Sequence, residues 1–261
     1  MRLKLILELT GKGNRLPIHY QYEISTWIHS LLEKEDSKIA KYLRNIGYAI
    51  KDSNISKEGK KYKPFTFSAL KIPQYHIESD RLFILSNQVE LVISFGVEKP
   101  IGPLVLGSFY STRLRIGDSV SSVEFVISKI ESLPDPVFSG VEAFQTVSPI
   151  CVSFEYPEHK TPTYLSPLDD DFERFFFKNL LLKYKIVDPY FEPQMENLSF
   201  KLLNEPKSKI ITFKANTREE TRVTGFHFEF EIKAIKELIR FGYYSGFGEK
   251  NSSGFGYVEK I

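Results

Sequence analysis

The chain has 261 residues, of which 42% are hydrophobic, 26% are charged and 14% are aromatic. This composition excludes an intrinsically disordered chain, a collagen-like repeat and a disulfide-rich scaffold. With 35 basic and 33 acidic residues, a net charge of +2 and a pI of 8.4, charge alone does not identify a nucleic-acid-binding protein. A pI above about 9 is the usual sign of that class.

Cysteine content and hydropathy set expectations about the cellular compartment. The single cysteine, Cys151, has no partner for an internal disulfide bond, as is usual in a reducing cytoplasm. No apolar run approaches the roughly 20 residues that span a bilayer. Charges interrupt the apolar residues of the N-terminal segment, and no cleavage site follows, so this segment predicts a strand and not a signal peptide. We expect a cytoplasmic protein with no membrane partner.

The first half of the chain begins with a strand and a helix. Alternation of leucines over residues 2–10 predicts a half-buried strand. Apolar residues at helical spacing predict a helix at residues 20–33, followed by another at residues 36–45. Beyond a basic loop, the pattern predicts further elements: strands at residues 65–71, 81–86, 90–95 and 113–116, and a short helix near residues 102–110. Residues 121–134 are expected to form a ribbon that extends away from this unit.

The second half repeats this order after the turn-rich segment at residues 134–140. The predicted elements are strands at residues 144–156, 198–203, 210–214, 222–232 and 255–260, and helices at residues 167–184 and 234–244. Each half therefore has the β-α-β-β-α-β order of the ferredoxin-like (RRM-like) fold. We predict an α+β protein with two tandem ferredoxin-like domains, at residues 1–134 and 135–261.

The most specific motif is a glycine-rich loop near the C-terminus, in which two Gly-Phe-Gly triplets flank residues 249–253. Glycine permits positive φ and close approach of another backbone, and consecutive free N–H groups can bind an anion. One interpretation is a simple glycine-rich hairpin before the last strand. A nucleotide-binding fingerprint is disfavoured, because the loop precedes a strand and does not open a helix.

Together with the segments HYQYEISTWIHSLL, KPFTFS and TVSPI, this loop resembles the CRISPR-associated endoribonucleases that process the repeat transcript. These enzymes form the sixth Cas protein family, within the repeat-associated mysterious protein superfamily, and the resemblance covers nearly the whole chain. It implies CRISPR repeat RNA as partner, a role in antiviral defence and a protein that works as a monomer or homodimer or beside an RNA-guided surveillance complex. The loop motif is shared with noncatalytic members, so a noncatalytic RNA-binding or scaffold subunit is the alternative.

The resemblance also implies a reaction. A ribose 2'-OH attacks the adjacent phosphate, the 5'-oxygen leaves, and the products carry a 2',3'-cyclic phosphate and a 5'-hydroxyl. Such chemistry needs a base, an acid and a cation, and neither a metal nor a cofactor. The sequence agrees, since its five histidines and one cysteine show no zinc-ligand spacing.

His29 is our candidate for the general base. On the predicted helix it lies about 130° from the apolar stripe, so it is expected to face out of the core and to titrate near neutral pH. The alternative is an ordinary exposed histidine. In the resemblance, some relatives carry a catalytic tyrosine at this helix position. Others place a catalytic histidine on the following helix, where this chain has Tyr42, Leu43 and Arg44.

The remaining site residues also come from the resemblance. Lys63, before PFTFS, matches the cleft lysine that stabilises the phosphate; Tyr42 is a further catalytic candidate and Arg44 a phosphate contact. His19 is assigned a structural or RNA-contact role. The other residues expected to contact RNA are those of the basic loop, of a predicted hairpin and of the glycine loop: Lys60, Lys61, Lys207, Lys209, Arg222, Gly246, Gly248, Lys250, Gly254 and Gly256.

An acidic run at residues 169–173 offers a second kind of site. Its carboxylates resemble a metal-binding cluster, but they follow Ser166-Pro167 at the start of a predicted helix. Acidic side chains are favoured there by the helix dipole. We therefore expect this run to cap the helix and assign no metal site.

Overall fold

A computed structural model describes residues 1–34, 63–96, 113–155, 161–185, 187–192, 197–215 and 217–261. The helices predicted at residues 36–45 and near residues 102–110 lie outside these ranges. The described chain contains two larger antiparallel sheets, one built before residue 134 and the other after it.

The elements of the first half are β1 (Arg2–Leu9), β2 (Arg15–Pro17), α1 (Gln21–Lys34), β3 (Phe65–Phe67), β4 (Tyr75–Glu78), β5 (Arg81–Ile84), β6 (Gln88–Phe95), β7 (Arg113–Gly117) and β8 (Ser122–Ser132). The larger sheet has the order β3-β6-β1-β8-β7, and a smaller sheet has the order β2-β5-β4. Leu3, Leu5 and Leu7 are buried and the residues between them are partly exposed, which confirms the alternation predicted for the first strand.

The prediction that residues 121–134 form a ribbon extending away from this unit was wrong. Its residues form β8, which pairs with β1 on one side and β7 on the other, inside the first sheet. Val123 and Phe125 are fully buried in the core of this half. A local sequence pattern does not reveal which neighbours an extended segment pairs with, so the place of this segment in the sheet was not predictable.

The elements of the second half are β9 (Val141–Thr146), β10 (Ser153–Phe154), β11 (Thr163–Tyr164), α2 (Phe172–Tyr184), β12 (Ser199–Leu202), β13 (Lys207–Phe213), β14 (Thr221–His227), β15 (Glu229–Lys233), α3 (Lys236–Ser245), a 3-10 turn (Asn251–Ser253) and β16 (Val258–Lys260). The larger sheet has the order β12-β15-β9-β16, and β13 and β14 form a separate hairpin. The strand predicted at residues 144–156 is therefore two shorter strands, β9 and β10, with different partners.

The two larger sheets share one topology. In the second half, the four strands occur in the chain as β9, β12, β15 and β16, and in space the first strand lies between the third and the fourth. In the first half, β1, β3, β6 and β8 are arranged in the same way, with β7 added at the edge. This order is that of the split β-α-β unit, and it agrees with the ferredoxin-like fold predicted for each half.

The acidic run before α2 does not cap the helix through a side chain as expected. The helix begins at Phe172, and the Asp171 side chain does not cap the backbone N–H groups of the first turn. Its carboxylate instead pairs with the Arg174 guanidinium at 2.8 Å. Asp169 accepts a hydrogen bond from the N–H of Ser166 at 2.7 Å, outside the helix. Glu173 accepts one from the N–H of Phe200 and thereby joins α2 to β12. Among the described residues, no group of three or more His, Cys, Asp or Glu side chains is arranged to hold a metal ion.

Buried polar contacts join the two halves. The guanidinium of Arg2, 2% exposed, donates to the carbonyl of Tyr243 at 2.6 Å and lies 3.3 Å from the centroid of the Tyr243 ring. The hydroxyl of Ser94 donates to the carbonyl of Tyr244 at 2.7 Å. These contacts place β1 and β6 against the end of α3. We keep residue 134 as a proposed domain boundary.

Candidate functional site

The site is centred on two side chains that are 34 positions apart in the chain. His29 lies in the last two turns of α1, and Lys63 lies just before β3. The Nζ atom of Lys63 is 2.9 Å from Nδ1 of His29, within hydrogen-bonding distance. The structure thus brings together the candidate base and the candidate phosphate-binding lysine.

The surroundings of His29 differ from the exposed position expected. Its ring is half-buried and meets the ring of Phe65 edge-on, with centroids 5.2 Å apart. Burial, and secondly the positive charge of Lys63, lower the pKa of His29 from 6.5 to about 4. The helical spacing correctly excluded His29 from the apolar stripe, but it could not show that β3 covers the ring.

The contact with Lys63 determines which nitrogen of the His29 ring carries the proton. A lysine ammonium has donors and no acceptor, so Nδ1 of His29 accepts this hydrogen bond. A neutral imidazole that accepts at Nδ1 carries its proton on Nε2. In this arrangement Nε2 is a hydrogen-bond donor, and the only lone pair of the ring nitrogens is occupied by Lys63. The Nδ1 lone pair is therefore open to another proton donor only when Lys63 lies elsewhere.

The glycine loop is a buried part of the protein and not an open cradle. Gly246, Gly248, Gly254 and Gly256 are all buried and all have positive φ. The loop surrounds the amine of Lys183, which is 4% exposed and donates to the carbonyls of Gly246 and Gly248 at 2.8 and 2.7 Å. Lys183 also donates to the side-chain oxygen of Asn251 at 3.0 Å.

The protonation of Lys183 depends on two opposing effects. Burial lowers the pKa of Lys183 from 10.5 to about 7. The negative charge of Glu249 acts in the opposite direction and raises it. The three oxygen acceptors also match the three N–H bonds of an ammonium group. When the amine is charged, it has one acceptor for each N–H and holds the loop in place. The loop must turn sharply to bring these acceptors together, and the glycines permit these turns.

The same loop contacts the elements that carry His29 and Lys63. The hydroxyl of Ser25, one turn before His29 on α1, donates to the carbonyl of Ser252 at 2.7 Å. The hydroxyl of Thr66 on β3 donates to the carbonyl of Phe255 at 2.8 Å. A Cβ atom on Gly254 would lie 2.8 Å from the ring of Phe67. The glycine loop therefore sets the spacing between α1 and β3.

The sequence predictions missed the residues that organise this loop. Lys183 follows Phe176 and Leu180 at helical spacing, so it continues the buried stripe of α2. A lysine in an apolar stripe is the signal that could have identified it. Ser25 and Thr66 carry no such signal, because nothing in the sequence near them shows that a loop 227 or 189 residues away packs there.

The basic hairpin β13–β14 lies beside the beginning of α1. Tyr22 of α1 and Phe213 of β13 meet edge-on, with centroids 6.3 Å apart. The pKa of His19 is lowered by burial and then by the charge of Lys209, and Arg222 contributes in the same direction. The structure therefore brings His19, Lys209 and Arg222 to one region, although they come from different halves of the chain.

The other residues expected to contact RNA have different positions. Lys207 and Lys250 are exposed, and Lys250 has the left-handed backbone conformation in the glycine loop. Arg222 forms an ion pair with Glu220 at 3.1 Å, which reduces the local excess of positive charge. The remaining candidates lie outside the described residues: Tyr42, Arg44, Lys60 and Lys61. No helix in the described ranges is long and apolar enough to cross a membrane.

Comparison with known proteins identifies related chains. Residues 133–260 match the family model for the C-terminal part of CRISPR-associated protein Cas6. The CRISPR-associated endoribonuclease Cas6 1 of Methanocaldococcus jannaschii is 30% identical over 264 residues, which cover 100% of this chain and 93% of that protein.

Solved structures show the same relationship. A Cas6-related protein from Pyrococcus furiosus has a TM-score of 0.80 at 27% identity, covering 100% of this chain and 98% of that chain. A structure of CRISPR-associated protein Cas6 has a TM-score of 0.73 at 26% identity, covering 100% and 99%. The tandem ferredoxin-like fold predicted from the sequence is confirmed by these likenesses and by the strand order of both sheets. The chain belongs to the Cas6 family of CRISPR-associated proteins.

Proposed function

We propose that this protein cleaves CRISPR precursor RNA within its repeats, through attack of a ribose 2'-OH on the adjacent phosphate. Membership of the Cas6 family supports repeat RNA as the substrate, and the relative from M. jannaschii is named an endoribonuclease. The observation that carries the proposal is the 2.9 Å contact between Lys63 Nζ and His29 Nδ1. This contact joins a proton acceptor and a cation, which are two of the three groups the reaction needs.

The scissile phosphate activates the pair in this mechanism. Its negative charge attracts the Lys63 ammonium away from His29, so the lone pair of Nδ1 becomes available. The same change removes one cause of the low pKa of His29 and brings a negative charge near the ring, and both effects raise its basicity. Nδ1 then accepts the proton of the 2'-OH, the 2'-oxygen bonds to phosphorus, and the bond from phosphorus to the 5'-oxygen breaks. Lys63 stabilises the charge on the phosphorane.

The leaving 5'-oxygen also requires a proton. Lys63 is a candidate donor because its ammonium is already at the phosphate in this mechanism. Tyr42, which lies outside the described residues, and a water molecule are the other two candidates. The products carry a 2',3'-cyclic phosphate and a 5'-hydroxyl, and no step requires a metal ion.

The basic hairpin and the start of α1 are the proposed RNA interface. Lys207, Lys209 and Arg222 are exposed, and the last two lie near His19. Cationic side chains on an open hairpin neutralise phosphates and make binding sensitive to salt. Lys250 extends this surface from the glycine loop. For the four buried glycines we propose a structural contribution to RNA binding, through the position of the loop.

A noncatalytic RNA-binding protein is the second candidate function. One observation favours it: in the structure, Lys63 occupies the imidazole nitrogen that would have to accept the 2'-OH proton. The sequence adds that residues 36–45 contain no histidine. A noncatalytic protein would bind repeat RNA through the same hairpin and leave it intact.

The test is cleavage of repeat RNA in excess EDTA, beside an RNA with a single 2'-deoxy nucleotide before the cut. We expect cleavage of the first RNA only, with a cyclic phosphate end. Tight binding with no cleavage of either RNA would favour the noncatalytic protein. Cleavage of the 2'-deoxy RNA at the same bond would refute the 2'-OH mechanism, and loss of all cleavage in EDTA would refute metal independence.

A further inference from the structure

A row of planar groups crosses the small sheet β2-β5-β4. His76 and Phe83 are directly opposite each other on β4 and β5, and their rings are stacked at 4.6 Å with an interplanar angle of 7°. Arg15 on β2 is opposite Phe83 from the other side, with its guanidinium carbon 5.8 Å from the ring centroid. The three groups therefore follow one another across the strands in the order Arg15, Phe83, His76.

This row ends at a sheet edge. In the described part of the chain, β4 pairs with β5 alone, and all four of its residues are exposed. His76 is the last ring of the row, and Phe83 covers one of its two faces. The other face points away from Phe83, toward the edge of the sheet.

We propose that this face of His76 is a stacking site for one unpaired base of the bound RNA, an inference that rests on the proposed function. Unpaired bases stack on aromatic side chains and on guanidinium planes, and each contact contributes roughly 1–3 kcal/mol. A base added to His76 would extend the row by one further planar group. The protein would then hold an RNA nucleotide at a surface separate from the His29–Lys63 pair.

The position of the sheet supports RNA as the occupant. The turn that joins β4 to β5 contains Asp80, whose carbonyl accepts a hydrogen bond from the N–H of Ile18 at 3.0 Å. The charge of Asp80 raises the pKa of His19, whereas those of Lys209 and Arg222 lower it, so all three lie near that ring. The small sheet therefore borders the region where candidate RNA contacts from both halves meet, so one strand of RNA can reach both.

The charges near His76 favour a base over a phosphate. Glu78 lies two residues further along β4 and therefore on the same face as His76. A carboxylate at this position would repel a phosphate, whereas an uncharged base is compatible with it. Arg15 lies at the opposite end of the row.

The experiment uses repeat RNA in which single bases are replaced in turn by 2-aminopurine, whose fluorescence is quenched by stacking. With wild-type protein we expect quenching at one unpaired position. His76→Ala should remove that quenching and weaken RNA binding roughly 5- to 150-fold. His76→Phe, which keeps a ring for stacking, should restore both. Tyr75→Ala is the matched control, because Tyr75 is an exposed aromatic residue on the opposite face of the same strand.

Three results would overturn the inference. The first is that His76→Ala binds RNA with the same affinity as the wild type and quenches 2-aminopurine equally. This result would refute the stacking site and leave the proposed function intact. The second is an equal loss of binding in Tyr75→Ala and His76→Ala, which would point to a general effect of the exposed strand. The third is absence of RNA binding by the wild-type protein, which would refute the proposed function together with this inference.

Discussion

Two lysines of this protein have opposite surroundings. Lys183 is almost completely buried, and its amine donates to three oxygen atoms from the glycine loop. Lys63 is half-buried, and its amine meets an imidazole nitrogen, which is a weaker partner that also titrates. The first lysine is tightly held by oxygen acceptors that cannot lose or gain a proton near neutral pH. In the proposed mechanism, the second leaves the imidazole for a phosphate.

The two lysines separate residues that maintain the fold from residues that we propose to take part in the reaction. The glycine loop is the most specific motif in the sequence, yet its main-chain groups are used inside the protein, on Lys183 and on the elements α1 and β3. The His29–Lys63 pair has no motif of comparable specificity. A conspicuous motif can therefore identify the family and the fold while the groups proposed to react lie elsewhere.

The largest effect is expected from removal of the buried amine. Lys183→Met would leave the carbonyls of Gly246 and Gly248 and the oxygen of Asn251 buried without this donor. We expect a loss of roughly 3–5 kcal/mol in the free energy of unfolding. Urea unfolding measures it, with Lys185→Met as the control, because Lys185 is exposed just after the same helix. Equal stability of the two variants would show that Lys183 does not hold the loop.

The next effect concerns activity and not stability. His29→Ala should lower the single-turnover cleavage rate by about 100-fold or more, equivalent to about 2.7 kcal/mol, while RNA affinity changes little. His29→Phe keeps the contact with the ring of Phe65 but has no nitrogen, so it should be equally inactive and better packed. Thr26→Ala, at an exposed position on α1, is the control. Normal cleavage by His29→Phe would remove His29 from the mechanism.

Part of this structure was predictable from the sequence alone. The alternation in β1 and the helical spacing in α1 were sufficient to predict both elements, because each pattern depends on residues close together in the chain. The contact between His29 and Lys63 depends on how β3 packs against α1, so the half-buried ring and its low pKa were not predictable. The same reason explains β8 and the burial of the glycine loop, since both depend on partners that are distant in the chain.

The third prediction concerns how strictly the glycine loop requires glycine, and it compares two glycines of the chain. Gly256 and Gly11 have nearly the same positive φ, +77° and +82°. A Cβ atom on Gly256 would overlap the carbonyl oxygen of Phe247, whereas a Cβ on Gly11 would meet no atom within 4 Å among the described residues beyond its chain neighbours. Both alanine variants bear the cost of the left-handed conformation, about 1 kcal/mol, but only Gly256→Ala adds a clash.

We expect Gly256→Ala to be less stable than Gly11→Ala by about 2 kcal/mol, a difference measured by thermal or urea unfolding. RNA affinity should fall together with stability in Gly256→Ala if the loop contributes to RNA binding through its position. A fully stable Gly256→Ala that binds no RNA would instead indicate direct contact between this glycine and RNA.

The smallest effect is a change in the titration of His29. Its pKa of about 4 has two causes, burial first and the charge of Lys63 second. Lys63→Met removes only the second, so the pKa should rise and still remain below 6.5. NMR of the imidazole measures it, with His29→Phe to assign the signal and Lys233→Met, an exposed lysine of β15, as the control.

The same shift determines how stability and activity depend on pH. His29 binds its proton less readily in the folded chain, where its pKa is about 4, than in the unfolded chain, where it is near 6.5. Its contribution to stability is therefore complete above about pH 6.5 and is lost as the pH falls toward 4. A base must also be unprotonated, so the acidic limb of the profile of kcat/KM should lie near pH 4. A wild-type His29 that titrates at 6.5 would show that in solution the ring is neither buried nor beside Lys63, and the distinction between the two lysines would then rest on Lys183 alone.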